Sequence, residues 1–191
     1  MSQGSKYLLF GKWSFEGIET RDLGLKNYLS IKPVNAPHSM GRHEHRRFHK
    51  SRVNIVERFI NNIMRPGKNA GKKATATNFV RNAFEIINLQ TGQNPVEVFV
   101  RAVENAAPCE DTTRISYGGV AYHQAVDISP QRRIDLALRA LTEGVRKASF
   151  SNPRPFEEAL AEEIMFAGSN DLKSYAIQKR NEMERMAMHA R

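Results

Sequence analysis

Cysteine is almost missing from this sequence: Cys109 is the single thiol among 191 residues. One thiol closes no disulfide within the chain and builds no thiolate zinc cage, so stability must come from packing, and a reducing compartment such as the cytoplasm is expected. Long apolar runs are absent too. No stretch approaches the roughly 18 apolar residues of a membrane span, and Met1 to Gly11 holds no apolar segment ending in a small-residue cleavage site. Neither an integral membrane protein nor an exported one is expected. Acidic residues are also scarce: 20 Asp and Glu face 29 Lys and Arg, which leaves a formal charge of +9 and a pI near 9.9. Such a field favours a polyanionic partner, nucleic acid before anionic membrane. The remainder is ordinary. Hydrophobic residues at 40% and charged ones at 26% fit a globular chain long enough to bury a substantial core.

The pattern along the chain divides it into an irregular basic extension over residues 1–50 and a helical part over residues 51–191. In the extension, Trp13, Phe15, Gly17, Gly24 and Tyr28 follow no period, and Lys32-Pro33-Val34-Asn35-Ala36-Pro37 is turn-prone. This leader is expected to be mostly irregular, docked chain and, with little apolar surface, to order only on a partner. From Ser51 a first helix is predicted, with Val53, Val56, Ile60 and Ile63 on one face until Arg65-Pro66-Gly67. A second runs from about Ala74 to Leu89 on Val80, Ala83, Phe84 and Ile87. Asn94 and Pro95 open a third, with Glu97 placed to complete a capping box.

The period then becomes alternating. Thr113, Ile115 and Tyr117 precede Gly118-Gly119, and Val120 and Tyr122 follow, which predicts a β-hairpin arm at about 112–127. Two strands alone are marginal in water, so the arm must pack on helices or be held by a partner. Ser129-Pro130 starts a fourth helix whose stripe of Ile134, Leu138, Leu141 and Val145 is backed by Arg132, Arg139 and Arg146. A fifth follows Pro155, expected to display Glu157, Glu158, Glu162 and Glu163, and a polar helix fills most of Leu172 to Arg191. The fold class is therefore mainly α, a bundle of about six helices with one protruding hairpin and an extended basic N-terminal segment.

Positive charge is concentrated. Between His38 and Lys73, ten Lys and Arg face only Glu44 and Glu57, a local +8. Clustered cations release counterions from a phosphate backbone and give strong, salt-dependent binding. His38, His43, His45 and His49 lie in the same stretch, but loose spacing among so many cations does not suit a metal. Gly67-Lys68-Asn69-Ala70-Gly71-Lys72-Lys73 has three residues between its glycines and Lys73 where a Walker loop needs Ser or Thr, so nucleotide hydrolysis is not expected. Its amides and lysines still suit RNA phosphate. Glu110 and Asp111 beside Cys109 disfavour a reactive thiolate. No catalytic constellation, cofactor site or small-molecule substrate is indicated, so the chain is not expected to be an enzyme. Tyr117 and Tyr122, with Arg114 and His123 adjacent, fit either cross-strand packing or stacking on bases. On these features alone the alternative is a DNA-binding helical module, with a basic helix in a major groove.

Taken together the motifs form a recognisable set. Gly41-Arg42-His43, Arg47-Phe48, Ile55-Val56-Glu57-Arg58, Asn69-Ala70-Gly71-Lys72-Lys73, Thr91-Gly92-Gln93-Asn94-Pro95, Gln124-Ala125-Val126-Asp127-Ile128-Ser129-Pro130-Gln131-Arg132-Arg133 and Ser174-Tyr175-Ala176-Ile177 resemble the universal small-subunit ribosomal protein seven family. The leader and hairpin look most like its archaeal branch. The resemblance implies a structural constituent of the small ribosomal subunit, in the cytoplasm, that binds the 3′ major domain of small-subunit rRNA and nucleates assembly of the head. It implies a place at the subunit interface near the decoding region, with exit-site tRNA, mRNA and neighbouring head proteins as partners and no membrane. Carried over by position, Arg42, His43, Arg46, Arg47, Lys50, Lys68, Asn69, Lys72, Lys73, Arg114, Arg132, Arg133 and Arg139 are expected to face rRNA. Tyr117, Gly118, Gly119, Tyr122, Lys179 and Arg180 are expected near tRNA and mRNA. Cys109 stands where a polar contact is expected in relatives.

Overall fold

A computed structural model describes residues 7–43, 45–65, 67 and 69–191. Its elements are α1 (Leu23–Lys26), α2 (Ile55–Ile63), α3 (Lys73–Thr91), α4 (Pro95–Ala106), a hairpin of β1 (Glu110–Tyr117) and β2 (Val120–Asp127), then α5 (Pro130–Ser149), α6 (Phe156–Gly168) and α7 (Tyr175–His189). Mainly helical with one two-stranded sheet, this is the fold class that the periodicity predicts. Helices α3, α4, α5 and α6 enclose the core, where Phe59, Phe84 and Phe99 are fully buried and the Phe59 and Phe99 rings lie 4.8 Å apart.

The helix starts follow their caps. Asn54 Oδ1 accepts from Val56 N at 2.9 Å, so α2 begins at Ile55 rather than at Ser51, and His49–Arg52 form a 3₁₀ turn before it. Asn94 caps α4 by accepting from Val96 N at 3.1 Å, while its amide donates to Ser14 O at 2.7 Å. Glu97 does not close the expected box, because it pairs one turn on with Arg101. Asn94→Ala removes both the cap and the clasp on the leader, so a loss of about 1–2 kcal/mol is expected in denaturant unfolding. A change no larger than that of an exposed control would refute this.

Two expectations are corrected. Leu9, Phe15, Leu25 and Leu29 of the leader are buried in the same core as the helices, so the extension does carry apolar anchors. Its aromatic and leucine residues lack a period because the segment is not helical. Glu163 is buried, not displayed. It lies about 100° around α6 from the neighbouring Glu162, facing α7. There it accepts from Ser174 Oγ at 2.8 Å, Ala176 N at 3.0 Å and Tyr175 N at 3.3 Å, the donors at the start of α7.

The hairpin register places Tyr117 opposite Val120, and Gly118 and Gly119 take φ of 58° and 82°, the two positive values a tight two-residue turn needs. Its root is fastened to the bundle. Cys109 N donates to Glu184 Oε1 at 3.0 Å, Ile128 N to Cys109 O at 3.0 Å, and Arg191 pairs with Glu110. The distal half stands free, with Ile115, Val120 and Tyr122 exposed. Eight residues per strand carry the tip about 23 Å from that root.

Candidate nucleic-acid interface

Arg65, just after α2, reaches Glu143 on α5, and described residues of the 38–50 loop lie beside both helices. Two clefts meet there. One, of 640 Å³, separates the loop from α5 and is lined by Arg47, Lys50, Arg65, Arg132 and Arg139 with one carboxylate, Asp135. That carboxylate is already committed, to Lys50 Nζ at 2.8 Å and Arg58 Nη2 at 2.9 Å. The other, of 870 Å³, lies between the loop and α2 and is lined by His43, Arg46, Arg47, Lys50, Asn61 and Lys73 among others. Phe48 borders both.

Like charges crowd on this face. Burial, with Arg139 and Arg146 nearby, holds the Arg65 pKa below the ordinary guanidinium value even though Glu143 Oε1 lies 3.3 Å away. A Cβ added at Gly67 would stand 3.8 Å from Arg146 Nη2, so the loop after α2 reaches the same cluster. Partial burial together with Arg52, Arg46 and His43 likewise lowers the pKa of His49. A phosphate placed here relieves like-charge repulsion.

The predicted residues do not share one state. Arg46, Arg47, Lys72, Arg114 and Arg139 are exposed and make no ion pair among the described residues, and Arg42 donates only to Ser39 O, at 3.1 Å. Lys50 and Lys73 are tied down, the latter to Glu57 at 2.8 Å, while Arg132 lies 3.6 Å from Asp111. His43 is half-buried beside the second cleft, and Asn69 is half-buried in the lysine loop. Arg133 turns inward. It contacts Asp22 at 2.9 Å, Pro108 O at 3.1 Å and Cys109 Sγ at 3.3 Å, which makes it a strut between leader, hairpin root and α5. Gly118, Gly119 and Tyr122 are exposed on the arm, whereas Lys179 and Arg180 adjoin Arg139 around a 120 Å³ cavity on the bundle. Lys179 is paired with Glu182 at 2.6 Å, and Arg180 donates to Asn105 O and to Asn181 Oδ1. Lys68 and the Tyr117 side chain lie outside the described residues.

Among the described residues no group of three or more His, Cys, Asp and Glu gathers as a metal site requires, and no helix is long and apolar enough to cross a membrane.

The chain matches the family described as ribosomal protein S7p/S5e over residues 26–191. It is 51% identical to the small ribosomal subunit protein uS7 of the archaeon Methanothermobacter thermautotrophicus strain Delta H, over 96% of this chain and 98% of that one. It is 50% identical to the uS7 of Methanosphaera stadtmanae over 96% and 98% of the two chains, and 49% identical to that of Cenarchaeum symbiosum strain A over the whole of both. The chain belongs to the ribosomal protein S7p/S5e family. Its similarity is to the archaeal members, as the motifs of leader and hairpin imply.

Three further residues, Arg146, Arg65 and Phe48, lie on this face beside the expected ones. Arg146 lies seven residues beyond Arg139, the helical spacing that already placed it on the basic back of α5. Arg65 has no such local signal, because only the packing of α2 on α5 brings it to the cluster. Phe48 is invisible for a different reason. An aromatic between basic residues is unremarkable until its exposure is known.

Proposed function

We propose that the chain is a structural constituent of the small ribosomal subunit, without catalytic turnover, and that its basic face binds the 3′ major domain of small-subunit rRNA and nucleates head assembly. The observation that carries this reading is the cleft with five cations against one preoccupied carboxylate. The names of the uS7 relatives support its ribosomal setting. Arg46, Arg47, Lys72, Arg139 and Arg146 neutralise phosphates of converging RNA helices, while Arg133 holds the protein side rigid. The arm, ending at Gly118 and Gly119, extends toward exit-site tRNA and mRNA at the subunit interface, with Lys179 and Arg180 nearer the rRNA face. Neighbouring head proteins cover other surfaces, and the setting is the cytoplasmic ribosome.

Filter binding to the isolated 3′ major domain over a salt series tests the reading. Affinity is expected to fall steeply with salt, and the double variant R139A/R146A to flatten the logarithmic slope by roughly 0.7–0.9 for each phosphate that is no longer neutralised. A slope the double variant leaves unchanged removes this face from the interface. Equal or tighter binding to duplex DNA revives a DNA-binding module.

A further inference from the structure

Phe48 is an aromatic side chain left mostly in solvent. It is 61% exposed at the junction of the two clefts. Its backbone holds φ of 64°, a left-handed conformation that non-glycine residues seldom adopt and that persists only where the surroundings fix it. Ser51 does so, since its Oγ donates to Phe48 O at 2.8 Å and its N to the same oxygen at 3.2 Å. The Arg47 guanidinium lies 4.8 Å from the ring centroid. The ring is thus presented, not buried, and a cation accompanies it.

We infer that Phe48 is a stacking platform for one unpaired nucleotide of the rRNA, a reading that rests on the rRNA interface proposed above. A base extruded from its helix offers a π face to the ring, and the phosphates flanking it meet Arg46, Arg47 and Lys50. The 870 Å³ cleft beside the ring holds polar groups suited to a base edge. Asn61 is exposed and its amide has no hydrogen bond among the described residues, so it has both a donor and an acceptor to give. Arg58 also lines this cleft, and its Nε is buried without a partner among the described residues. Charge decides between nucleotide and protein as occupant. An apolar pocket of a neighbouring protein would have to approach Phe48 through Arg46, Arg47, Lys50, Arg65, Arg132 and Arg139, whereas an RNA strand brings their counter-charge with it.

The test compares full-length wild-type, F48L and F48W chains on the isolated 3′ major domain RNA. Leucine keeps apolar bulk without the π face, and tryptophan keeps the face. F48L is expected to weaken binding about ten-fold at every salt concentration with an unchanged salt slope, because stacking releases no counterions. F48W is expected to bind within about three-fold of wild type and to show quenching of its added indole above the Trp13 background when RNA is bound. Base-directed chemical probing is expected to find an unpaired nucleotide protected by wild type and F48W and left reactive by F48L. Thermal unfolding of the free proteins checks that all three fold alike. Wild-type binding with F48L equally tight, or with protection unchanged, overturns the platform and leaves the rRNA interface standing. Failure of wild type to bind the RNA overturns both.

Discussion

Replacing Glu163 by Ala is expected to destabilise the bundle by about 3 kcal/mol and to lower its melting temperature by roughly 10 °C. The carboxylate is almost wholly buried and takes three donors from the start of α7: Ser174 Oγ, Tyr175 N and Ala176 N. The first amides of a helix have no partners within it, so an acceptor supplied from another element does the work of a cap and adds a favourable charge at the dipole's positive end. Ser174 relays the arrangement by accepting from Ile177 N at 3.3 Å. Alanine leaves these donors buried without acceptors and opens a cavity where α5, α6 and α7 meet. The junction is tight: a Cβ at Gly144 would lie 2.8 Å from Tyr175 Cβ and 3.1 Å from Glu163 Cδ. Glu163→Gln keeps one acceptor oxygen and its bulk, so it is expected to cost about 1 kcal/mol. The exposed Glu158→Ala is expected within about 0.5 kcal/mol of wild type. Urea unfolding of the three variants decides the matter, and a Glu163→Ala midpoint no lower than that of Glu158→Ala rejects the cap.

Glu163 also marks how far sequence carries. Four glutamates on one helix look alike by composition, and the partner that separates Glu163 from the others lies eleven residues on, in a helix whose docking no local pattern announces. Elements with local signals were legible. Asn94-Pro95 sets the start of α4, and Gly118-Gly119 sets the register of the hairpin. The basic face was legible as a quantity of charge, because charge density belongs to a segment. Its partition into free cations, ion-paired cations and one strut was not. Arg132 and Arg133 are adjacent in sequence, yet one stands near solvent and the other spans Asp22, Pro108 and Cys109. The leader misled for a related reason. Leu9, Phe15, Leu25 and Leu29 follow no period, and burial without a period is visible only once the surface that receives them exists.

Glu57→Gln is expected to weaken binding to the 3′ major domain by about ten-fold, although it adds one unit of positive charge to the protein. A view that counts charge alone expects the opposite, tighter binding with a steeper salt dependence. Geometry decides the sign. Glu57 is buried on α2 and accepts from Ser39 N at 2.7 Å, Ser39 Oγ at 3.0 Å and Lys73 Nζ at 2.8 Å. One carboxylate therefore fastens the start of the basic loop and the end of the lysine loop to the same helix. All three donors meet on the one oxygen Oε1. A glutamine oxygen in its place is uncharged, so it weakens these contacts, loses the ion pair and loosens both segments, and part of their ordering must be repeated at the moment of binding. The free protein is expected to lose about 2 kcal/mol of stability, since Lys73 is left half-buried without its counter-charge. Acidity gives an independent check. Burial pushes the Glu57 carboxyl up, but Lys73 and the Ser39 donors outweigh it and its pKa lies below the ordinary value. A depressed folded-state pKa means that the unfolded chain binds the proton more readily, so stability from this group is fully present above the ordinary glutamate pKa of about 4.3 and is lost as pH falls through the lower, folded-state value. Wild type is therefore expected to lose stability in that acid range by more than Glu57→Gln does, with the two curves converging at its lower end. Parallel curves, or tighter RNA binding by Glu57→Gln, would show that the loops hold their places without this carboxylate.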